Sequence, residues 1–416
     1  MTIRQSLPII TILCGLLNAT DSARAQDWSF TAMPNAIWKG VACSTDGMKV
    51  VVDGYASGIW VSTNRGATWS AEDTSETRWS AVASSADGTK LVAVSQDAAG
   101  SIYTSTNSGA SWHLTTAVMD DYHSVASSAD GSKLVAVSAY TIYVSTNSGV
   151  DWVENPYMPF NGIWNSVTIS ADGTKMAAAA GVLWILGGTI DTLYGGGELD
   201  FSTNSGVSWV TSDAPGNWDW SAIACSSNGN FMVAGAYGDT NHNPGPIYIS
   251  TNSGAHWAPT IAPNLAYGCV NCSADGSKVT VACKTPTSYP NGVYSSTNSG
   301  STWTQDTSLF AAGALACSAD GTKRVATTAG GWLTVNNIAV SPPQAVRGGP
   351  QLIIMPSGKT VAIYWPASAA GYVLQSTANL SAGSWASITN GISTAGSYSV
   401  FTTAAGGNAA FFRLKQ

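Results

Sequence analysis

The chain has 416 residues, enough for a large core and more than one domain. Only 10% are charged, against about 25% in ordinary globular proteins, and 44% are hydrophobic, which excludes a disordered chain. The net charge of -7 speaks against nucleic acid, whose phosphates need a dense Lys/Arg surface.

In chain order, the first element is a targeting segment. Arg4 precedes an apolar run from Leu7 to Leu17, and Ala23-Arg24-Ala25 offers a small-residue cleavage site before Gln26. This pattern predicts a secretory signal peptide over residues 1–25 and an exported mature protein, secreted or at the cell surface. The run is shorter than the roughly 20 residues a membrane span needs, and no later segment reads as a span. Leu13 stands before Cys14 where a lipid-attachment box carries a small residue, so lipidation is not expected.

A repeat then occupies most of the chain. Ser-Thr-Asn-x-Gly-x-x-Trp occurs at Ser62–Trp69, Ser105–Trp112, Ser145–Trp152, Ser202–Trp209, Ser250–Trp257 and Ser296–Trp303. It alternates with a turn, usually Ser-Ala-Asp-Gly-x-Lys, centred on Asp46, Asp87, Asp130, Asp172, Asn228, Asp275 and Asp320. The Trp-to-Trp steps are 43, 40, 57, 48 and 46 residues, the length of a four-stranded antiparallel blade. The Asp-Gly turn joins strands A and B, and the Asn box joins C and D, each with a glycine free to take positive φ. Seven turns but six boxes leave the last repeat without strand D. Trp28, one period before Trp69, supplies it, so the fold expected is all-β: a seven-bladed β-propeller over residues 26–340, closed by an N-terminal strand. After a linker at 341–351, residues 352–416 carry alternating strands without repeat motifs.

The box resembles the Asp-box (BNR) repeat of sialidases, sortilin-type receptors, some xyloglucan hydrolases and photosystem-assembly propellers, with Asn in place of Asp in all six copies. The C-terminal module resembles the small fibronectin-like or immunoglobulin-like sandwiches of exported bacterial proteins. The resemblance implies the propeller scaffold and leaves function open, because that scaffold hosts hydrolases and non-catalytic binders alike. A sialidase is disfavoured: the three arginines that would hold a substrate carboxylate are missing, since Arg65 and Arg324 fall on the turn side and only Arg78 remains.

The turns and boxes lie on one face of the ring, and the B–C and D–A loops on the other. Loop length is uneven only on this second face, at Gly181–Asp200, Gly235–Pro246 and Cys283–Gly292 of blades 4 to 6. Trp38, Trp79, Tyr122, Trp164, Trp220, Tyr267 and Phe310 recur at the start of strand A and read as packing between blades. Trp184, Tyr194, Trp218, Tyr237 and Tyr289 break the repeat and, with His242, are the ligand-binding candidates. They suit a neutral extracellular glycan or another surface molecule. The alternative is a glycoside hydrolase working through two loop carboxylates, with Asp213, Asp219 and Asp239 the catalytic candidates from a set that also includes Asp120, Asp121, Asp191 and Glu198. The four histidines are scattered and no metal site or cofactor is predicted; a monomer is expected. Cys43, Cys225, Cys272 and Cys317 share one position on strand A, and Cys269 and Cys283 lie diagonally across one hairpin; no disulfide is predicted.

Overall fold

The computed structural model divides the chain into two compact units, Met1–Pro342 and Pro343–Gln416. It describes residues 29–30, 33, 36–72, 78–96, 100–155, 163–181, 197–239, 243–283, 292–306, 312–328 and 338–340 of the first unit. In the second it describes 353–357, 360–366, 373–377, 386–395, 398–404 and 411–415. The described elements are all strands, and no helix among the described residues is long and apolar enough to cross a membrane.

Strand β1 is Ser29–Phe30. Blade 1 follows as β2 (Ile37–Cys43), β3 (Val50–Tyr55), β4 (Gly58–Ser62) and β5 (Ser70–Glu72). Blade 2 is β6 (Trp79–Ser84), β7 (Leu91–Ser95), β8 (Ile102–Ser105) and β9 (His113–Leu114). Blade 3 is β10 (Tyr122–Ser127), β11 (Leu134–Ser138), β12 (Ile142–Ser145) and β13 (Val153–Glu154). Blade 4 is β14 (Ile163–Ile169), β15 (Met176–Gly181), β16 (Leu199–Ser202) and β17 (Val210–Thr211). Blade 5 is β18 (Trp218–Cys225), β19 (Met232–Asp239), β20 (Ile247–Ser250) and β21 (Ala258–Pro259). Blade 6 is β22 (Tyr267–Cys272), β23 (Val279–Cys283), β24 (Val293–Ser296) and β25 (Thr304–Asp306).

Six blades, rather than the seven expected, are therefore built from consecutive strands. The remaining repeat supplies only β26 (Ala312–Cys317), β27 (Arg324–Thr328) and β28 (Ile338–Val340), because no box follows it in the sequence. Its sheet is composite: β1 pairs antiparallel with β28, Ser29 opposite Val340, as the fourth strand. The first strands of the sheets pack each on the next, and β26 packs on β2.

The turns lock this circle. The N–H of Thr45 donates to the carbonyl of Ala86, Ala86 to Ala129, Ala129 to Ala171, Ala171 to Ser227, Ser227 to Ala274, Ala274 to Ala319, and Ala319 back to Thr45, all at 2.7–2.8 Å. The lysines after the turns reach across the same seams. Lys133 Nζ donates to the Asp172 carbonyl at 3.1 Å and to Ser205 Oγ at 3.1 Å, Lys278 to the Asp320 carbonyl at 2.8 Å, and Lys323 to the Asp46 carbonyl at 2.5 Å. In the boxes Asn does the work expected of Asp: Asn64 Oδ1 accepts from Ser62 Oγ at 2.9 Å and from the Thr68 N–H at 2.8 Å, while its Nδ2 donates to Thr68 Oγ1.

The core lies between blades. Trp38, Trp79, Tyr122, Trp164, Trp220 and Tyr267 are at most 1% exposed, and each of Trp79, Trp164, Trp220 and Tyr267 packs on the preceding blade's strands. The equivalent register position in the composite sheet is Ala312, opposite Thr328, and not the expected Phe310, which lies outside the described residues. Arg324, the first residue after the turn of the composite sheet, is 7% exposed and reaches blade 6, donating to Ser295 Oγ at 2.7 Å beside Asp306 at 3.6 Å.

The second unit forms two antiparallel sheets. One is β29 (Ile353–Ser357), β30 (Thr360–Pro366), β34 (Tyr398–Ala404) and β33 (Ile392–Ala395) in that order. The other is β32 (Ala386–Ser387), β31 (Val373–Thr377) and β35 (Phe411–Lys415). The expected linker at 341–351 falls outside the described residues, except that the unit boundary comes at Pro342.

Candidate functional site

Residues 182–198, 240–246 and 284–292 join strands B and C of blades 4, 5 and 6, against Ala56-Ser57 in blade 1, 96–101 in blade 2 and 329–337 in the composite sheet, so only the blade 4 connection is much longer than the rest. In blade 5 the connection starts later than expected, because β19 continues from Gly235 to Asp239. With β18 it makes the longest A–B hairpin of the blades, eight residues in each strand.

That hairpin breaks the register in its own way. Every first strand carries a bulge just after its recurring aromatic, or after Ala312 in β26, but β19 adds another: Asp219 pairs with Gly238 while Trp220 pairs with Ala236, leaving Tyr237 as the extra residue. A bulge re-aims a side chain. Tyr237 is 39% exposed, although Ala236 and Gly238 on either side are buried. Trp218, opposite Asp239 at the end of the hairpin, is partly buried and packs on the cluster around Trp220 and Trp257.

The end of the connection is tied down. Asn243 donates from its N–H to Asp239 Oδ1 at 2.8 Å and from Nδ2 to Oδ2 at 2.9 Å, and its carbonyl accepts from the Asp239 N–H at 3.0 Å. Gly238 bridges Pro244, and Gly245 bridges Leu265, which is 1% exposed in the segment leading to blade 6. Only glycine fits at 245, since a Cβ there would stand 2.2 Å from the Ala236 carbonyl. Trp218 and Tyr237 thus sit on one anchored hairpin, while Trp184, Tyr194, His242 and Tyr289 lie outside the described residues.

The predicted carboxylates do not converge. Asp213, after β17, accepts from the Trp257 N–H at 3.0 Å and contacts His256 Nδ1. It therefore clasps blade 4 to the box of blade 5 rather than standing on the loop face, and the His256 contact holds its carboxyl below the usual range. Asp219 Oδ1 fills the space over Gly181, in the seam with blade 4, where Asn165 Nδ2 donates to the Trp220 carbonyl at 2.9 Å. Because Trp218 pairs with Asp239 and Asp219 with Gly238, alternation sends the Asp219 and Asp239 side chains to opposite faces of the hairpin.

Two further acidic features stand out. Glu198 and Asp200 are two apart at the start of β16, so they share a face; burial raises both carboxyls, and Asp200 raises Glu198 further. The sequence reading included Glu198 but not Asp200, which looks like an ordinary strand residue until its 4% exposure is known. Asp53 is fully buried against Gly40, with no well-formed hydrogen bond to either oxygen. Burial pushes its carboxyl up to about 7, opposed by the nearby backbone N–H groups of Gly40 and Asp53 and by Lys39. The same strand-B position holds Val94, Val137, Ala179, Gly235, Ala282 and Thr327 elsewhere, so repeat alignment would have flagged it.

Of the loop-face cations, Arg78 lies over the Tyr55 ring at 5.6 Å and Lys39 is exposed. Among the described residues no group of three or more His, Cys, Asp or Glu is placed to hold a metal ion.

No family model matches the chain, and no curated protein matches it. Solved structures do. A GH74 enzyme from Niastella koreensis aligns over 88% of this chain at 13% identity, with a TM-score of 0.58. A GH74 xyloglucanase from Xanthomonas campestris aligns over 82% at 13% identity, with a TM-score of 0.56. The chain spans only 60% and 59% of those two enzymes. YCF48 bound to a D1 peptide aligns over 78% of this chain and 99% of its own, at 12% identity and a TM-score of 0.55. Likeness at this identity establishes the β-propeller fold and nothing finer.

Proposed function

We propose that the chain is an exported, non-catalytic propeller of the Asp-box type that binds a neutral extracellular glycan on the loop face of blades 4 to 6. In this reading the composite sheet is the seventh, closing blade, and the C-terminal unit is a small β-sandwich serving as spacer or anchor. The observation that carries the reading is the blade 5 hairpin. Its second bulge turns Tyr237 outward on the hairpin that also carries Trp218, and the 243–245 segment holds the hairpin end in place. Flat aromatic faces next to amide and carboxylate groups suit sugar rings, and the three predicted carboxylates are engaged apart from one another. The neighbours are consistent with either role, one kind being glycoside hydrolases and another a protein bound to a peptide.

The test is a neutral-glycan array followed by a hydrolysis assay on whichever glycans bind. Binding without turnover, weakened at least tenfold by Tyr237→Ala, is the expected result. Binding unaffected by Tyr237→Ala and Trp218→Ala would remove the site from blade 5.

The hydrolase reading retains one specific observation, the Glu198/Asp200 pair with both carboxyls raised. A raised carboxyl beside a second one is the arrangement a general acid needs. Turnover abolished by Glu198→Gln, with binding kept, would favour it over the first reading.

A further inference from the structure

Four of the six described cysteines form an arc. Cys225, Cys272, Cys317 and Cys43 are each the last residue of β18, β22, β26 and β2, four first strands that follow one another around the ring. Two residues further on, these strands are joined to one another by backbone hydrogen bonds. Ser227 donates to Ala274 at 2.8 Å, Ala274 to Ala319 at 2.7 Å, and Ala319 to Thr45 at 2.7 Å. The cysteine backbones are thereby held side by side, and at one seam a thiol is turned toward the neighbouring cysteine: Cys317 Sγ lies 3.4 Å from the carbonyl oxygen of Cys272 and 2.6 Å from Asn271 Oδ1. These four residues are half-buried with their thiols turned inward, whereas Cys269 and Cys283 are buried in separate core clusters. That separation means the pair lying diagonally across the β22–β23 hairpin does not share a face.

We propose that Cys272 and Cys317 are the site of an inter-blade disulfide, formed by exchange with a small-molecule disulfide, that fastens the composite sheet to blade 6. One cysteine thiolate attacks the reagent's S–S bond, releasing one reagent thiol and leaving a mixed disulfide. The second thiolate then attacks the protein sulfur of that mixed disulfide, releasing the other reagent thiol. Two protein thiols are oxidised, the reagent disulfide is reduced to two thiols, and the two protons pass to them.

The environment suits a structural bond rather than a catalytic one. Burial, chiefly, raises all four thiols, Cys225 to about 11 and Cys317 to about 12. A thiol held protonated exchanges slowly, but its reduced form gains no stabilisation as a thiolate, so the disulfide, once made, resists reduction. Cys272 lies within electrostatic reach of both Cys225 and Cys317, so Cys225 is the competing partner.

The experiment incubates the folded full chain with 2-hydroxyethyl disulfide for hours, blocks remaining thiols, and maps linkages by mass spectrometry. Two thiols per chain should disappear into a Cys272–Cys317 cross-link, and the unfolding midpoint should rise by about 3–6 °C, reversibly with dithiothreitol. Cys317→Ser should abolish both effects and Cys225→Ser neither. Serine is compatible with this position, because Ser84 and Ser127 occupy it in blades 2 and 3; Cys272→Ser provides a second variant. Mixed disulfides alone, an unchanged thiol count, or a link between Cys225 and Cys272, between Cys43 and Cys317 or between Cys269 and Cys283 would overturn the assignment.

Discussion

The two faces of the propeller are made from the same strands and use their polar residues in opposite ways. On the turn face the same types recur from blade to blade, and nearly every one is committed to a neighbour. Turn N–H groups bond the next turn, lysines bond the next turn's carbonyl or a neighbouring box serine, and Asn and Ser close their own boxes. On the loop face the recurring residues sink into the seams, and what remains visible departs from the repeat: the bulged Tyr237, the tied Asn243 and Asp239, the raised Glu198. Recurrence therefore marks architecture, and departure marks where a ligand or a local cost is to be sought.

The hardest test of that division is a tryptophan two residues from another. Trp220 recurs and is fully buried; Trp218 does not recur and is partly exposed. Trp220→Ala should cost about 3–5 kcal/mol, from lost burial and the cavity left between blades 4 and 5. Trp218→Ala should cost far less. Urea unfolding of both variants decides it, and equal losses would mean that recurrence carries no structural information here.

The fold was legible because the repeat is dense in turn chemistry. Asp-Gly and Asn-x-Gly punctuate every blade, and their spacing leaves few alternatives to a propeller. The count from turns also locates the incomplete last repeat, although spacing alone puts Phe310 at a position that Ala312 fills, since a two-residue offset is invisible when the neighbouring residues are small. The candidate site was legible only in outline. Loop lengths pointed to blades 4 to 6, but alternation cannot foresee the β19 bulge that turns Tyr237 outward. Nor can it foresee that Asp213 reaches across to the next box, because that contact depends on how blades 4 and 5 pack. Asp53 was passed over for the converse reason: it sits in a strand that otherwise reads as ordinary core.

Asp53 is the departure that should carry a local cost rather than a ligand. Its folded carboxyl is raised to about 7, above the roughly 3.9 of an unfolded chain. The folded state then holds the proton more tightly, so the contribution of Asp53 to stability should be greatest below about pH 4, fall as pH rises to about 7 and then level off, while the depressed turn aspartates act in the opposite sense below about pH 4. The fall should be on the order of 2–4 kcal/mol. Asp53→Asn should remove that slope and exceed the parent in stability at pH 8. A variant less stable than the parent at pH 8 would show that the carboxylate is stabilised by contacts that offset its burial.

A smaller effect probes the turn face. Lys133→Met keeps an aliphatic stem over Gly173 but removes the ammonium from the Asp172 carbonyl and Ser205 Oγ. The loss should be about 1 kcal/mol. Because both acceptors are neutral, it should be nearly the same at low and high salt. A strong salt dependence would instead indicate that the lysines act through the field of the turn aspartates.

The smallest change in stability belongs to Tyr237. Its ring is turned out of the sheet at a bulge, so Tyr237→Ala removes little buried area and should shift the unfolding free energy by less than about 0.5 kcal/mol. If departure from the repeat marks a ligand site, the same substitution should produce the largest loss of binding of any on the loop face. The two measurements pull in opposite directions for an architectural residue and a binding residue, so together they place Tyr237 on one side. A large stability loss with unchanged binding would move it into the core with Trp220, and with it the bulge would become a packing device.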